Sequence, residues 1–149
     1  MSVVISLRER ALRFLSRREY SRSELSRKLT PYTETPESLA SLLDDLSERH
    51  FLSDARYAKM RVKSRAQRYG NLRLSHELRV RGIGDELISE SLAGTDDETA
   101  RACRILQRKF GDLAASCPEE RARRARFLMR RGFSGETIRK MTRCDFESD

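Results

Sequence analysis

The chain has 149 residues, 38% of them hydrophobic and 36% charged, and a formal net charge of +8. That length allows one domain or a short repeat array, and the regular spacing of Leu, Ile, Val, Ala and Phe argues against disorder. Seven glycines, three prolines and few β-branched runs favour an all-α fold, and three cysteines without C-x-x-C spacing exclude a disulfide framework.

Helix-start and helix-stop signals divide the chain in order. Ser6-x-x-Glu9 and Ser21-x-x-Glu24 fit the capping box, in which side chains satisfy unpaired N–H groups. They predict helices over 7–18 and 22–30. Thr35 before Pro36 opens a third helix over 36–49, with Leu39, Leu42, Leu43 and Leu46 on one stripe. Ser53-Asp54 caps a fourth over 54–69, whose apolar stripe is Ala55, Ala58, Val62, Ala66 and Tyr69. Helices over 72–81 and 85–93 follow. Thr95-x-x-Glu98 opens a seventh over 97–110, and Ser116-x-x-Glu119 an eighth over 118–131. The ninth covers 135–143. Gly70, Gly82, Gly94, Gly111 and Gly132 read as stops.

The nine helices group in threes. Residues 78–88 and 128–138 share Leu78/Leu128, Arg81/Arg131, Gly82/Gly132, Glu86/Glu136 and Ile88/Ile138 at an offset of 50. A period of this size predicts stacked helical units. The expected architecture is three tandem three-helix repeats, at 1–52, 53–94 and 95–149, stacked into an elongated, curved arm. In the first, Glu24-Leu25 is paired with Glu77-Leu78, and Lys28-Leu29-Thr30-Pro31-Tyr32 replaces the Arg-Gly junction.

The basic excess is mostly Arg, 26 against five Lys. Arg binds phosphate and carboxylate bidentately, so nucleic acid or an acidic protein groove is the expected partner. From Lys59 to Arg81 there are eight bases and one acid, and from Arg121 to Arg131 six bases and none. On the fourth helix Arg56, Lys59 and Lys63 make one row, and Arg61, Arg65 and Arg68 another. On the eighth, Arg123, Arg126 and Arg130 make a row beside Arg124. With Arg73 and Arg79, these are the candidate partner- and DNA-binding residues, because few acids in the same segments can neutralise them. The competing reading is a solvated charged face. Arg81 and Arg131, each in a last helical turn, read as structural.

No catalytic constellation is apparent. His50 and His76 are isolated, Asp44-Asp45 and Asp96-Asp97 point apart on a helix, and no phosphate-binding G-x-x-x-x-G-K-[ST] exists. Cys103, with Ala100 and Leu106, reads as core. No cofactor or metal is expected, nor an enzyme. The apolar start, Met1 to Leu7, is too short for a signal peptide or a membrane span, so a cytoplasmic chain without membrane contact is expected. Tyr20, Tyr57, Tyr69 and Phe133 look like core or junction packing, not a stacking platform for bases.

Several segments together resemble the RecX family of recombinase regulators. They are Leu15-Ser16-Arg17-Arg18-Glu19-Tyr20-Ser21 with Glu24-Leu25 and Lys28-Leu29, then Phe51-Leu52-Ser53-Asp54-Ala55-Arg56-Tyr57-Ala58. Gly70, Glu77-Leu78 and Arg81-Gly82-Ile83 follow, and last Phe127-Leu128-Met129-Arg130-Arg131-Gly132-Phe133-Ser134 with Ile138. The likeness spans about residues 7–143 and departs at Thr30 to Thr35. It implies three three-helix repeats and a non-enzymatic modulator, here expected to be monomeric. Such a modulator binds the RecA recombinase and its filament on single-stranded DNA and typically inhibits strand exchange and ATP hydrolysis. Duplex DNA is a further expected contact. The alternative is a sequence-independent DNA-binding or architectural protein acting without a recombinase. A small metal- or thiol-dependent enzyme has the least support.

Overall fold

A computed structural model describes residues 4–111, 115 and 117–143. Among them the chain forms nine α-helices: α1 (Leu7–Arg17), α2 (Arg22–Leu29), α3 (Pro36–Glu48), α4 (Asp54–Arg65), α5 (Asn71–Val80), α6 (Asp85–Ala93), α7 (Glu98–Phe110), α8 (Pro118–Arg130) and α9 (Gly135–Arg143). A 3₁₀ turn, Thr30–Tyr32, stands in the first set where the other two have an Arg-Gly junction.

The caps explain most of the boundaries. Ser6, Ser21, Thr35 and Ser53 each accept a hydrogen bond from a backbone N–H in the first turn of their helix, and Ser21 with Glu24 completes a full capping box. One expected start differs: Asp97, not Thr95, caps α7, its carboxylate accepting from the Thr99 N–H at 3.1 Å. The expected cap at Ser116 lies outside the described residues.

The fourth helix ends four residues early. Continuing it would require the Gly70 N–H to donate to the Ala66 carbonyl. Instead Gly70 donates to the Arg131 carbonyl at 2.9 Å, and Arg101 Nε donates to the Ala66 carbonyl at 3.1 Å. Tertiary partners from the third set therefore outcompete the last helical turn, and Gly70 becomes the N-cap of α5.

Three separate apolar clusters lie along the chain. The first joins Ala11, Leu25, Leu29, Leu43 and Leu46; the second Tyr57, Val62, Leu74, Leu78 and Ile88; the third Ala102, Ile105, Leu128 and Phe133. The main helix-to-helix packing is within each set of three. Three expected core residues face solvent: Ala55, Ala100 and Cys103 are exposed, the buried face being Tyr57 and Ala58 on α4 and Ala102 and Ile105 on α7.

The sets meet at two joints of common design. In each, a glycine turn of one set sits on the N-terminus of the second helix of the set before. Gly82 (φ +80°) lies over Ser23 at the start of α2, and Gly132 (φ +81°) lies over Arg73 at the start of α5. At the first joint Ser21 Oγ donates to the Arg81 carbonyl at 2.7 Å. At the second, Gly70 donates to the Arg131 carbonyl, and Leu72 to the Gly132 carbonyl at 3.0 Å. The N-caps Ser21 and Gly70, and the buried pairs Leu25/Leu29 and Leu74/Leu78, thus correspond at an offset of 49. The expected pairing of Glu24-Leu25 with Glu77-Leu78 is one helical turn out of step.

Candidate functional site

The two joints share a backbone design but differ in side-chain chemistry. The first is ionic. Glu24, with its side chain 8% exposed, accepts from Arg18 at 2.9 Å and from Arg81 at 3.1 Å, so one carboxylate ties α2 to the second set. Burial works to raise the Glu24 carboxyl, but the neighbouring Tyr57 hydroxyl and the hydrogen-bonded Arg18 guanidinium outweigh it and hold the group below its usual range. Arg56 spans the same joint, with Nε on Glu19 at 3.0 Å and Nη1 on the His50 carbonyl at 2.7 Å.

At the second joint a buried guanidinium takes the place of the carboxylate. Arg101 is 2% exposed and donates to the carbonyls of Ala66, Tyr69 and Asp96 and to Asn71 Oδ1. Burial pulls its pKa below the usual guanidinium value. The carbonyls of Ala66 and Tyr69 lie just beyond the C-terminus of α4, where a cation is favoured by the helix dipole.

Beside Arg101 a cleft of about 870 Å³ opens between α4 and α7, with Ser91 and Gly94 also in its lining. Lys59, Lys63, Arg104 and Arg108 line it together with Arg101, and Asp96 is its only acid. Asp96 is already engaged by Arg104 at 2.7 Å. A second cleft, of about 440 Å³, shares Gln67 and Arg108 with the first and adds Arg68, Lys109 and Arg131 beside Tyr69 and Phe127. The two form a continuous basic band across the junction of the second and third sets. Lys59 and Lys63 are exposed and make no ion pair among the described residues. Such a band suits a chain of phosphates or carboxylates.

The structure sorts the candidate residues. Lys59, Lys63 and Arg68 come together in the band. The other candidates lie elsewhere. Arg56 leaves its row to pair with Glu19. Arg65 makes a bidentate pair with Glu77 at 2.6 and 2.7 Å, and Arg73 reaches the same carboxylate at 3.4 Å while stacking over Tyr69. Burial works to raise the Glu77 carboxyl, but Arg65 and then Arg73 hold it below its usual range. Arg79 pairs with Asp85 at 3.0 Å. Arg124 is mostly covered, on Glu120 and Phe110, and Arg123 lies near the same two groups. Arg126 and Arg130 stand exposed on α8 with no ion pair among the described residues. The expectation that these rows lack acidic partners fails for Arg56, Arg61 and Arg65, because Glu19 arrives from the α1–α2 connection and Glu77 from α5, and for Arg123 and Arg124, which meet Glu120 on their own helix.

Five residues of the band escaped the sequence reading: Arg101, Arg104, Arg108, Lys109 and Arg131. The signal existed, since Arg101, Arg104 and Arg108 have the same i, i+3, i+7 spacing as the row on α4. Asp96, Asp97 and Glu98 just before them masked it. Arg131 is structural through its carbonyl, as expected, yet its guanidinium also lines the band.

Among the described residues no group of three His, Cys, Asp or Glu is placed to hold a metal ion. No helix among them is long and apolar enough to cross a membrane.

Comparison with known proteins gives a consistent result. The pattern of the RecX second three-helix domain matches residues 53–92, and that of the third matches residues 96–141. The chain is 42% identical over 146 residues to the regulatory protein RecX of Herminiimonas arsenicoxydans, covering 97% of this chain and 96% of that one. It is 40% identical over 133 residues to that of Neisseria meningitidis serogroup B, covering 89% and 86%. In fold it is similar to the crystal structure of RecX from Lactobacillus salivarius, with a TM-score of 0.78 at 19% identity over 91% of both chains.

Proposed function

Because this chain belongs to the RecX family of regulatory proteins, we propose that it binds the RecA recombinase filament and restrains ATP hydrolysis and strand exchange. The observation that carries the reading is the basic band between the second and third sets of helices. It offers a filament two targets, the phosphates of its DNA and the acids of its protein. The chain acts without chemistry of its own. It binds one state of the filament more tightly and shifts the population toward it. In this reading it works as a cytoplasmic monomer, with repeats at 1–52, 53–94 and 95–149, each centred on one core cluster.

The band predicts a sequence-independent contact with single-stranded DNA. The four exposed cations Lys59, Lys63, Arg104 and Arg108 give a salt slope of roughly −3, from about −0.7 per phosphate on a single strand. Replacing all four by Gln flattens the slope and leaves helicity intact, because none of them carries a core contact. The test is binding to a labelled oligonucleotide across a salt series. A variant that keeps the full slope removes the band from the account. Strong binding to DNA with no effect on the recombinase would favour the architectural alternative.

A further inference from the structure

The second joint carries an apolar feature that the first lacks. Leu72 is two residues past the N-cap Gly70, and its counterpart two past the N-cap Ser21 is Ser23. Met129 is three residues before Gly132, and its counterpart three before Gly82 is Arg79. The joint therefore folds with polar residues at both positions, so neither apolar side chain is needed to build it. Yet Leu72 is 61% exposed and Met129 67%. They are linked through one glycine, whose carbonyl accepts from the Leu72 N–H and whose N–H donates to the Met129 carbonyl at 3.0 Å. On α5 the exposed row continues through His76 to the exposed Val80, at i+4 and i+8 from Leu72.

Aliphatic side chains gain nothing from phosphates and present no π-face to bases. They are desolvated to advantage only by another apolar surface. Around them the charge is positive. Arg126 lies one turn before Met129, and Arg130 follows it, both exposed and without an ion pair among the described residues. From this arrangement we infer that Leu72 and Met129 form a docking face for an acidic protein segment that places an apolar side chain between carboxylates. Resting on the reading above, this assigns the protein component of the filament to the α5–α8 face and the nucleic acid to the basic band. Apolar anchors ringed by complementary charge are the arrangement that concentrates binding energy in protein interfaces.

The test is the double variant Leu72→Ser, Met129→Ser, both sites being exposed. Its helical signal and urea midpoint, compared with those of the wild type, establish that the fold is retained. Each protein is titrated into the recombinase hydrolysing ATP on single-stranded DNA, and separately onto the oligonucleotide alone. The expected result is a rise of roughly tenfold or more in the half-inhibitory concentration, with unchanged oligonucleotide affinity. Wild-type inhibition with an unchanged midpoint in the double variant overturns the docking face and leaves the regulatory reading standing. Loss of oligonucleotide affinity also overturns it, because the face would then belong to the nucleic acid. If the wild type itself leaves ATP hydrolysis untouched, the regulatory reading fails and this face falls with it.

Discussion

Replacing Gly132 by Ala probes the second joint where it is tightest. An added Cβ would stand 2.3 Å from Arg73 Cβ, 2.9 Å from Arg73 N and 3.1 Å from Arg73 Cα. The last two are backbone atoms at the start of α5, so no side-chain rotation relieves the overlap. The residue also has φ +81°, which costs a residue with a Cβ about 1–2 kcal/mol. Overpacking against fixed atoms adds about 1–3 kcal/mol, for a total of roughly 2–5 kcal/mol. The chain supplies its own controls. Gly84 has an extended backbone and nothing within 4 Å of an added Cβ, so Gly84→Ala is the neutral control. Gly70 also has an extended backbone, but its added Cβ would overlap the backbone of Gly132 and Phe133, so Gly70→Ala isolates the overlap. Equilibrium urea unfolding should show Gly70→Ala and Gly132→Ala each losing about 1–3 kcal/mol or more relative to Gly84→Ala. If they cost no more than Gly84→Ala, the joint is not close-packed and the argument fails.

Three further outcomes follow from the side chains. Arg101→Met removes a buried donor to three carbonyls and one amide oxygen, and should lower stability by about 2–4 kcal/mol in urea unfolding; a loss below ~0.5 kcal/mol would mean that water satisfies those groups. The Glu24 carboxyl is held below its ordinary 4.5, so its contribution is complete above that value and is lost as pH falls through the folded pKa. The stability gap between wild type and Glu24→Gln should therefore be widest at neutral pH and close in acid, and a gap constant across that range would refute the assignment. His50 is the only non-glycine residue with positive φ among those described, at 64°, so His50→Gly should raise stability in urea unfolding by about 0.5–1 kcal/mol; a fall would show that its side chain contributes a compensating contact.

Helix starts and stops were legible in the sequence because capping is local chemistry. Ser21, Thr35 and Ser53 need only a first-turn N–H, and Gly82 and Gly132 only a left-handed turn. The division into threes was legible because those glycine junctions recur. What sequence could not supply was the source of partners from distant helices. Arg65 looked unopposed until Glu77 arrived from α5, and Arg56 until Glu19 arrived from the end of α1. The end of α4 moved because Arg101, 35 residues away, takes the Ala66 carbonyl. Cys103 looked apolar enough for the core, but Ala102 next to it faces inward. The basic band arises only when α4 and α7 come together. Lys59, Lys63 and Arg68 were visible, and Arg101, Arg104, Arg108 and Lys109 were hidden behind the acids that open α7.

The most direct test of the regulatory reading is the rate of ATP hydrolysis by the cognate RecA recombinase on single-stranded DNA, titrated with this protein at fixed salt. The account predicts a dose-dependent fall at amounts too small to coat the DNA, because the filament is the target. An unchanged rate, or a fall only once the DNA is saturated, would contradict it and leave a general polyanion-binding protein.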